Sequence, residues 1–196
     1  MSNLRVVKLG GSLLDLTHWP QRLVVWLASQ PTTPTVLIVG GGVLADAIRR
    51  YDRQFELGEE AAHWLSIGAM SLQAEMAATV LPRRLAGVTL VDRFDDLFAV
   101  AANEVAVFDP EPFLRDSEAG FAGTPLPHGW HITSDSIAAR VAECLDAAEL
   151  VLLKSAPPPE HPTDPAAGYV DEHFPIAARG LRSVRYIDLR GELAAT

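Results

Sequence analysis

Short, fully apolar runs alternate along the chain with longer stretches in which apolar positions recur every three or four residues. Arg5–Leu9 (RVVKL), Thr35–Val39 (TVLIV), Leu150–Leu153 and Val184–Leu189 read as strands, and Gly87–Val91 and Glu104–Phe108 as two shorter ones. Between them, Trp19–Ser29 carries Leu23, Val24, Trp26 and Leu27 at helical spacing, with Pro20 suited to a first turn. Leu44, Ile48, Tyr51 and Phe55 share one face of a second helix. Trp64, Ile67, Met70 and Ala74 stripe a third, from about Glu59 to Leu81. Thr133-Ser134-Asp135 has the composition of an N-cap and leads into a helix with Ile137, Val141 and Leu145 on one side. Turn formers crowd Pro110–Gly129, which reads as a mobile loop or short helix placed to act as a lid. Five prolines in Ala156–Ala167 exclude helix and central strand there.

Strands that are apolar throughout, rather than alternating, are covered on both faces. The expected fold is therefore a three-layer α/β/α sandwich around a mostly parallel central sheet. At 196 residues, with 48% hydrophobic and 21% charged residues, the chain suits one domain spanning 1–196 and argues against disorder. A net charge of -9 without a dense basic block speaks against nucleic acid as a partner. No signal-peptide pattern and no run near the ~18 apolar residues of a membrane span is present, which predicts a soluble cytoplasmic protein with no membrane partner. The single cysteine, Cys144, falls on the apolar side of a helix and reads as packing in a reducing compartment.

In a parallel α/β sheet, ligands sit beyond the carboxyl ends of the strands. Three segments converge there: Gly10-Gly11-Ser12 after the first strand, Gly40-Gly41-Gly42 after the second, and Thr133-Ser134-Asp135 opening a late helix. Lys8, a charge inside an apolar run next to two glycine turns, suits an anion, and the turns suit phosphate. The pattern G-x-x-x-x-G-K-[ST] is absent, which excludes a P-loop. Gly40–Ala45 satisfies G-x-G-x-x-A, but Glu59 and Glu60 begin a helix where a dinucleotide site needs an acidic residue ending a strand, so a dinucleotide-dependent enzyme is the weaker reading. His18, His63, His128, His131, His161 and His173 show no metal-ligand spacing, and no metal site is expected; His128 and His131 flank Trp130 and could touch a substrate.

The set K-x-G-G-S at Lys8–Ser12, G-G-G at Gly40–Gly42, T-S-D-S-x-A-A at Thr133–Ala139 and the strand ending VLLKS at Ser155 resembles the amino acid kinase superfamily. The resemblance implies an ATP-dependent kinase acting on a small anionic acceptor, a phosphate or carboxylate. In it Lys8 contacts the transferring phosphoryl group and Asp135 orients that lysine. Gly10, Gly11 and Ser12, with Lys154 and Ser155, hold the nucleotide; Gly40, Gly41 and Gly42, with Thr133 and Ser134, line the acceptor site. Mg²⁺ travels with ATP, and a homo-oligomer is implied.

After the late strand the chain departs from the family pattern. A proline-rich stretch stands in place of the usual acidic loop, with GYVD at Gly168–Asp171 a loose echo of it, and no lysine follows Lys154. The nucleotide-binding part, about 150–196, thus reads as shortened: either Lys154 or an arginine such as Arg179 or Arg182 supplies the second catalytic charge, or ATP is bound poorly. The small size resembles the kinases of methanofuran synthesis, whose acceptor is an aminomethyl-furan alcohol phosphate. Loss of turnover on the same fold, leaving a nucleotide- or anion-binding or storage protein, is the alternative.

Overall fold

The computed structural model describes residues 3–191. Six strands form one sheet: β1 Arg5–Leu9, β2 Thr35–Val39, β3 Val88–Val91, β4 Val105–Phe108, β5 Glu149–Lys154 and β6 Val184–Asp188. Their order is β3-β4-β2-β1-β5-β6, and every pairing is parallel. The helices are α1 Trp19–Ala28, α2 Gly42–Phe55, α3 Glu59–Val80, α4 Glu111–Asp116, α5 Ser134–Cys144 and α6 Phe174–Ala177. Predicted and observed boundaries differ by a residue or two. Short α4 and α6 were not distinguishable from their proline-rich surroundings, because one turn of helix carries no periodicity to read.

The two faces of the sheet bury separate cores, which makes the fold the expected three-layer α/β/α sandwich. Val6, Val36, Ile38, Phe108, Leu150 and Leu152 point to one side and pack with α5 and with Phe94 and Phe113. Val7, Leu9, Leu37, Val39, Val151 and Leu153 point to the other and meet Trp19, Leu23 and Trp26 of α1. This two-residue alternation decides which strand residues face which helix. It puts Lys8, an even-numbered position of β1, on the α5 side.

β1 is central, with β2 on one side and β5 on the other, so the chain leaves β1 in one direction across the sheet and returns later on the opposite flank. A crevice opens at the carboxyl edge where such paths diverge. The loops after β1, β2 and β5 all reach that edge, and so do the N-termini of α2 and α5.

Pro110–Gly129, expected as a mobile loop or a short helix, opens with the short helix α4 and is tied down at its centre. After α4, a single 3-10 turn at Glu118–Gly120 packs against Arg140 of α5, a fully buried guanidinium. Arg140 pairs with Glu118 and with Glu143 at 2.6 Å, and donates to the carbonyls of Ala122 (2.6 Å), Glu118 and Phe121 (both 3.2 Å). Cys144 lies in the same core margin, and burial pushes its thiol up to about 11, consistent with packing. Removing one partner from a buried, hydrogen-bonded ion pair leaves the other charge uncompensated. Arg140→Ala is therefore expected to lower stability by about 3–5 kcal/mol, read as a shifted urea midpoint.

Candidate active site

The centre of the site is one carboxylate between two lysines. β1 and β5 are paired with Lys8 opposite Leu152, which places Lys154, two residues on, on the same face and nearer the carboxyl edge. Asp135, in the first turn of α5, comes down between them. Its Oδ1 lies 2.9 Å from Lys8 Nζ, at ion-pair distance without the alignment of a full hydrogen bond, and its Oδ2 accepts from Lys154 Nζ at 2.6 Å. Lys154 also donates to the Tyr169 carbonyl at 2.7 Å. Lys8 is 5% exposed and Asp135 4%, so neither charge is screened by water.

Burial alone would raise the Asp135 pKa, yet the two ammonium groups outweigh it and hold the carboxyl below its usual range. Lys154 moves to about 8: burial and the like charge of Lys8 lower it, and Asp135 only partly opposes them. The cluster carries a net positive charge at neutral pH.

Why α5 begins here depends on a residue the sequence marked only faintly. Asp171, the last residue of GYVD, accepts from the backbone N–H of Thr133 (3.0 Å), Ser136 (3.0 Å) and Phe174 (2.9 Å), and from the hydroxyls of Thr133 (2.7 Å) and Ser136. Thr133 Oγ1 in turn accepts from Asp135 N at 3.4 Å. The α5 N-terminus is thus already filled by an internal carboxylate, and it does not serve as the anion cradle that its position suggested. The loose echo in GYVD is the anchor that fixes the height of Asp135.

The two glycine turns press on each other. A Cβ on Gly11 would stand 2.7 Å from Gly42 Cα, and one on Gly40 would stand 2.8 Å from Gly11 N and 3.0 Å from Ser134 Oγ. A Cβ on Gly10 would meet the Leu153 carbonyl at 2.9 Å. Close approach of backbones explains these glycines; among the three at 40–42, Gly42 alone has a positive φ, +54°. Among the described residues, the amides of Gly11, Gly41 and Gly42 donate to no protein acceptor. They are free for a ligand.

A cleft of about 390 Å³ opens beside the turns, lined by Gly11, Ser12, Gly41, Gly42, Thr133 and Ser134, with α3 as its floor and Trp130 on its rim. Gly10 and Gly40 lie behind the cleft lining as packing contacts. Ser155 is joined to Ser12 through their hydroxyls at 2.8 Å. Of the histidines flanking Trp130, His128 binds Glu60 at 2.7 Å and His131 meets His173 edge-on at 6.4 Å; neither lines the cleft, whereas His63 does.

Of the cations considered for the second charge, Lys154 is in the cluster. Arg182 pairs with Asp146 ahead of β5, at the opposite, amino edge of the sheet. An arginine not singled out from the sequence, Arg190, reaches the carboxyl edge just beyond β6. It donates to the Ser12 carbonyl and to Asp15, both at 3.1 Å, and its backbone turn is held by Asp188 and Arg22. Nothing local marks it, since it lies outside any motif and comes to the glycine turn only through the β5–β6 pairing.

No group of three or more His, Cys, Asp or Glu among the described residues is placed to hold a metal ion. Asp135 is already bound by two lysines, Asp46 by Arg49 and Asp15 by Arg190. A magnesium ion accompanying a nucleotide would take its ligands from the phosphates and would offset their negative charge.

A parallel sheet with helices on both faces, with paired glycine turns and a lysine–aspartate–lysine cluster at its carboxyl edge, defines a three-layer α/β protein. The chain belongs to the amino acid kinase family, whose sequence model matches residues 3–157. It is 26% identical over 153 residues to the (5-(aminomethyl)furan-3-yl)methyl phosphate kinase of Methanocaldococcus jannaschii, a match covering 76% of this chain and 64% of that protein. Among solved structures, it resembles aspartate kinase from Synechocystis (TM-score 0.64, 17% identity, 93% of this chain and 38% of that one). UMP kinase from Ureaplasma parvum (0.61, 12%, 96% and 91%) and uridylate kinase from Archaeoglobus fulgidus (0.53, 20%, 79% and 64%) are also similar. At these identities the structural likeness speaks for the fold.

The lowered Lys154 pKa has a consequence for stability. Between about 8 and its ordinary 10.5, the unfolded chain keeps a proton on this lysine that the folded chain has lost, so its contribution rises with pH in that window. Asp135 has the same sign in a lower window: its contribution, present above the ordinary carboxylate range, is lost as pH falls through its depressed folded value. Urea titrations at pH 7 to 10 are expected to show wild type gaining stability relative to Lys154→Met as pH rises; a constant difference would contradict the assignment.

Proposed function

We propose that the protein is an ATP-dependent phosphotransferase that moves the γ-phosphoryl group to a small anionic acceptor. The observation that carries this reading is the juxtaposition of the Lys8–Asp135–Lys154 cluster with two glycine turns whose amides are free. Phosphoryl transfer asks a protein for positioning and positive charge at the spreading equatorial oxygens, and little covalent chemistry.

In this reading the nucleotide phosphates lie over Gly10, Gly11 and Ser12, with Lys154, Ser155 and Arg190 on their outer side. The acceptor enters the cleft lined by Gly41, Gly42, Thr133 and Ser134. An acceptor oxygen bonds to the γ-phosphorus, the bond to the β,γ-bridging oxygen breaks, and ADP leaves with that electron pair. Lys8 Nζ stabilises the charge on the group in flight, and Asp135, pinned by Asp171, keeps Lys8 from swinging toward water. Lys154 shares the same carboxylate and adds the second charge.

The acceptor class we propose is a small phosphomonoester, as the name of the Methanocaldococcus relative states for that protein, which would place the enzyme in methanofuran-linked cofactor metabolism. The cleft volume suits a molecule of that size. The chain spans 64% of that relative's length.

We further propose that residues 1–196 act as one domain in the cytoplasm and assemble as a homo-oligomer. Support comes from an open apolar groove between α2 and α3, about 740 Å³, bordered by Leu44, Ile48, Trp64, Leu65 and Leu72. Light scattering on the eluted protein is expected to give a multiple of the 21.2 kDa chain mass, and Leu65→Glu with Leu72→Glu to return the monomer.

ADP release with (5-(aminomethyl)furan-3-yl)methyl phosphate tests the reaction. Lys8→Ala is expected to lower kcat by about 10²–10³-fold. Arg190→Gln is expected to raise KM for ATP several-fold while leaving KM for the acceptor in place, and Arg182→Gln to change neither. A Lys8→Ala protein with wild-type turnover would sink the reading.

A further inference from the structure

The floor of the cleft carries two polar groups that the lysine cluster does not use. His63, on α3, is 7% exposed and borders the cavity. Gly129 N–H donates to its Nδ1 at 3.4 Å, so the neutral ring carries its proton on Nε2. His128 stacks on the ring at 4.6 Å, and Trp64 meets it edge-on at 5.1 Å, which together fix its orientation. Burial, then the neighbouring His128, hold its pKa below the ordinary value, and the ring is neutral near pH 7. Among the described residues Nε2 has no protein partner.

Ser66 follows at i+3 on the same helix face and also lines the cleft. Its Oγ is buried and has no hydrogen-bond partner among the described residues. A buried hydroxyl left unpaired is costly, and such groups are uncommon in folded proteins. Around the pair, the cavity wall is apolar: Ile67, Met70, Ile132 and Ile137. The charged residues near the mouth are engaged elsewhere, Asp46 with Arg49 at 2.9 Å and Asp15 with Arg190 at 3.1 Å.

We propose that His63 and Ser66 are the specificity pair of the acceptor cleft, and that together they hydrogen-bond one uncharged oxygen on the end of the acceptor remote from its phosphate. The inference rests on the reading of this cleft as the acceptor site. Anion at the glycine amides, apolar ring against the isoleucines and Met70, and one neutral oxygen at His63 and Ser66 define the ligand class: a small phosphomonoester whose ring is apolar on its faces and presents an uncharged oxygen to α3. A body without that oxygen leaves a buried donor and a buried hydroxyl unpaired, which is the stronger form of discrimination available to a pocket.

Calorimetry on the full chain with benzyl phosphate and 3-(hydroxymethyl)benzyl phosphate isolates the pair, since the two probes differ in that oxygen. Wild type is expected to bind the hydroxymethyl compound about 10-fold more tightly. Ser66→Ala and His63→Phe lose that preference while binding benzyl phosphate as wild type does, and His63→Gln, which retains an N–H donor, recovers part of it. Thermal melts of each variant confirm folding, and Ser66→Ala, the smallest change, carries the result if His63→Phe does not fold. Equal binding of the two probes by wild type, no binding of either, or a preference that survives in Ser66→Ala overturns the proposal. Preference without ADP release from any acceptor overturns the kinase reading and leaves the pair standing; ADP release without preference does the reverse.

Discussion

Two lysines from adjacent parallel strands share one buried carboxylate, and the placement of everything else at the carboxyl edge follows from that constraint. Asp135 cannot be buried without the ammonium groups, and Lys8 cannot be buried without the carboxylate, so strand β1, strand β5 and helix α5 are locked in one relative position. The constraint is strong because a buried charge parted from its partner keeps the full cost of desolvation with no water to replace the lost contact. Asp171 transmits the same constraint outward. By holding the first turn of α5 through Thr133 and Ser136, it sets where Asp135 stands, and with it where the two amines stand.

The same arrangement appears at the other end of the sheet. Arg5 and Arg185 both bind Glu149 at the amino edge, two cations on one carboxylate across β1, β5 and β6. What distinguishes the carboxyl edge is its backbone. There the glycine turns leave amides without protein acceptors beside a cleft, and one of the two cations, Lys154, is held near a pKa of 8, where its proton is loosely kept. An ion cluster by itself is a structural staple. Next to unpaired amides it offers positive charge and unsatisfied donors together, the combination that an anion-binding concavity uses.

The glycines show how packing and ligand chemistry can demand the same residue. Gly11 and Gly40 are required because the two turns touch, and no ligand needs to be invoked for them. Yet the contact is what brings the free amides of Gly11, Gly41 and Gly42 together. The cost of three successive glycines in backbone entropy is offset by an approach of two loops that any side chain would block.

Much of this was legible along the chain. Fully apolar strands set the layered parallel sheet, because a strand without polar alternation must be covered on both faces. Lys8 and the glycine turns stood out because a charge and two flexible residues interrupt such a strand, and the pairing of Thr133-Ser134-Asp135 with a helix start followed from capping chemistry. These are local signals, carried within five to ten residues. Other features were decided by tertiary structure alone. That Lys154 shares Asp135 with Lys8 depends on the β1–β5 register. That Arg190 reaches Ser12, 178 positions away, depends on β6 pairing beside β5. The segment after α4 is pinned by a buried Arg140, and the α5 N-terminus is occupied by Asp171 instead of being left open. In each case the partners are far apart in sequence and only the fold brings them together; for the buried charges of Lys154 and Arg140, the energy that selects the partner also exists only once water has been excluded.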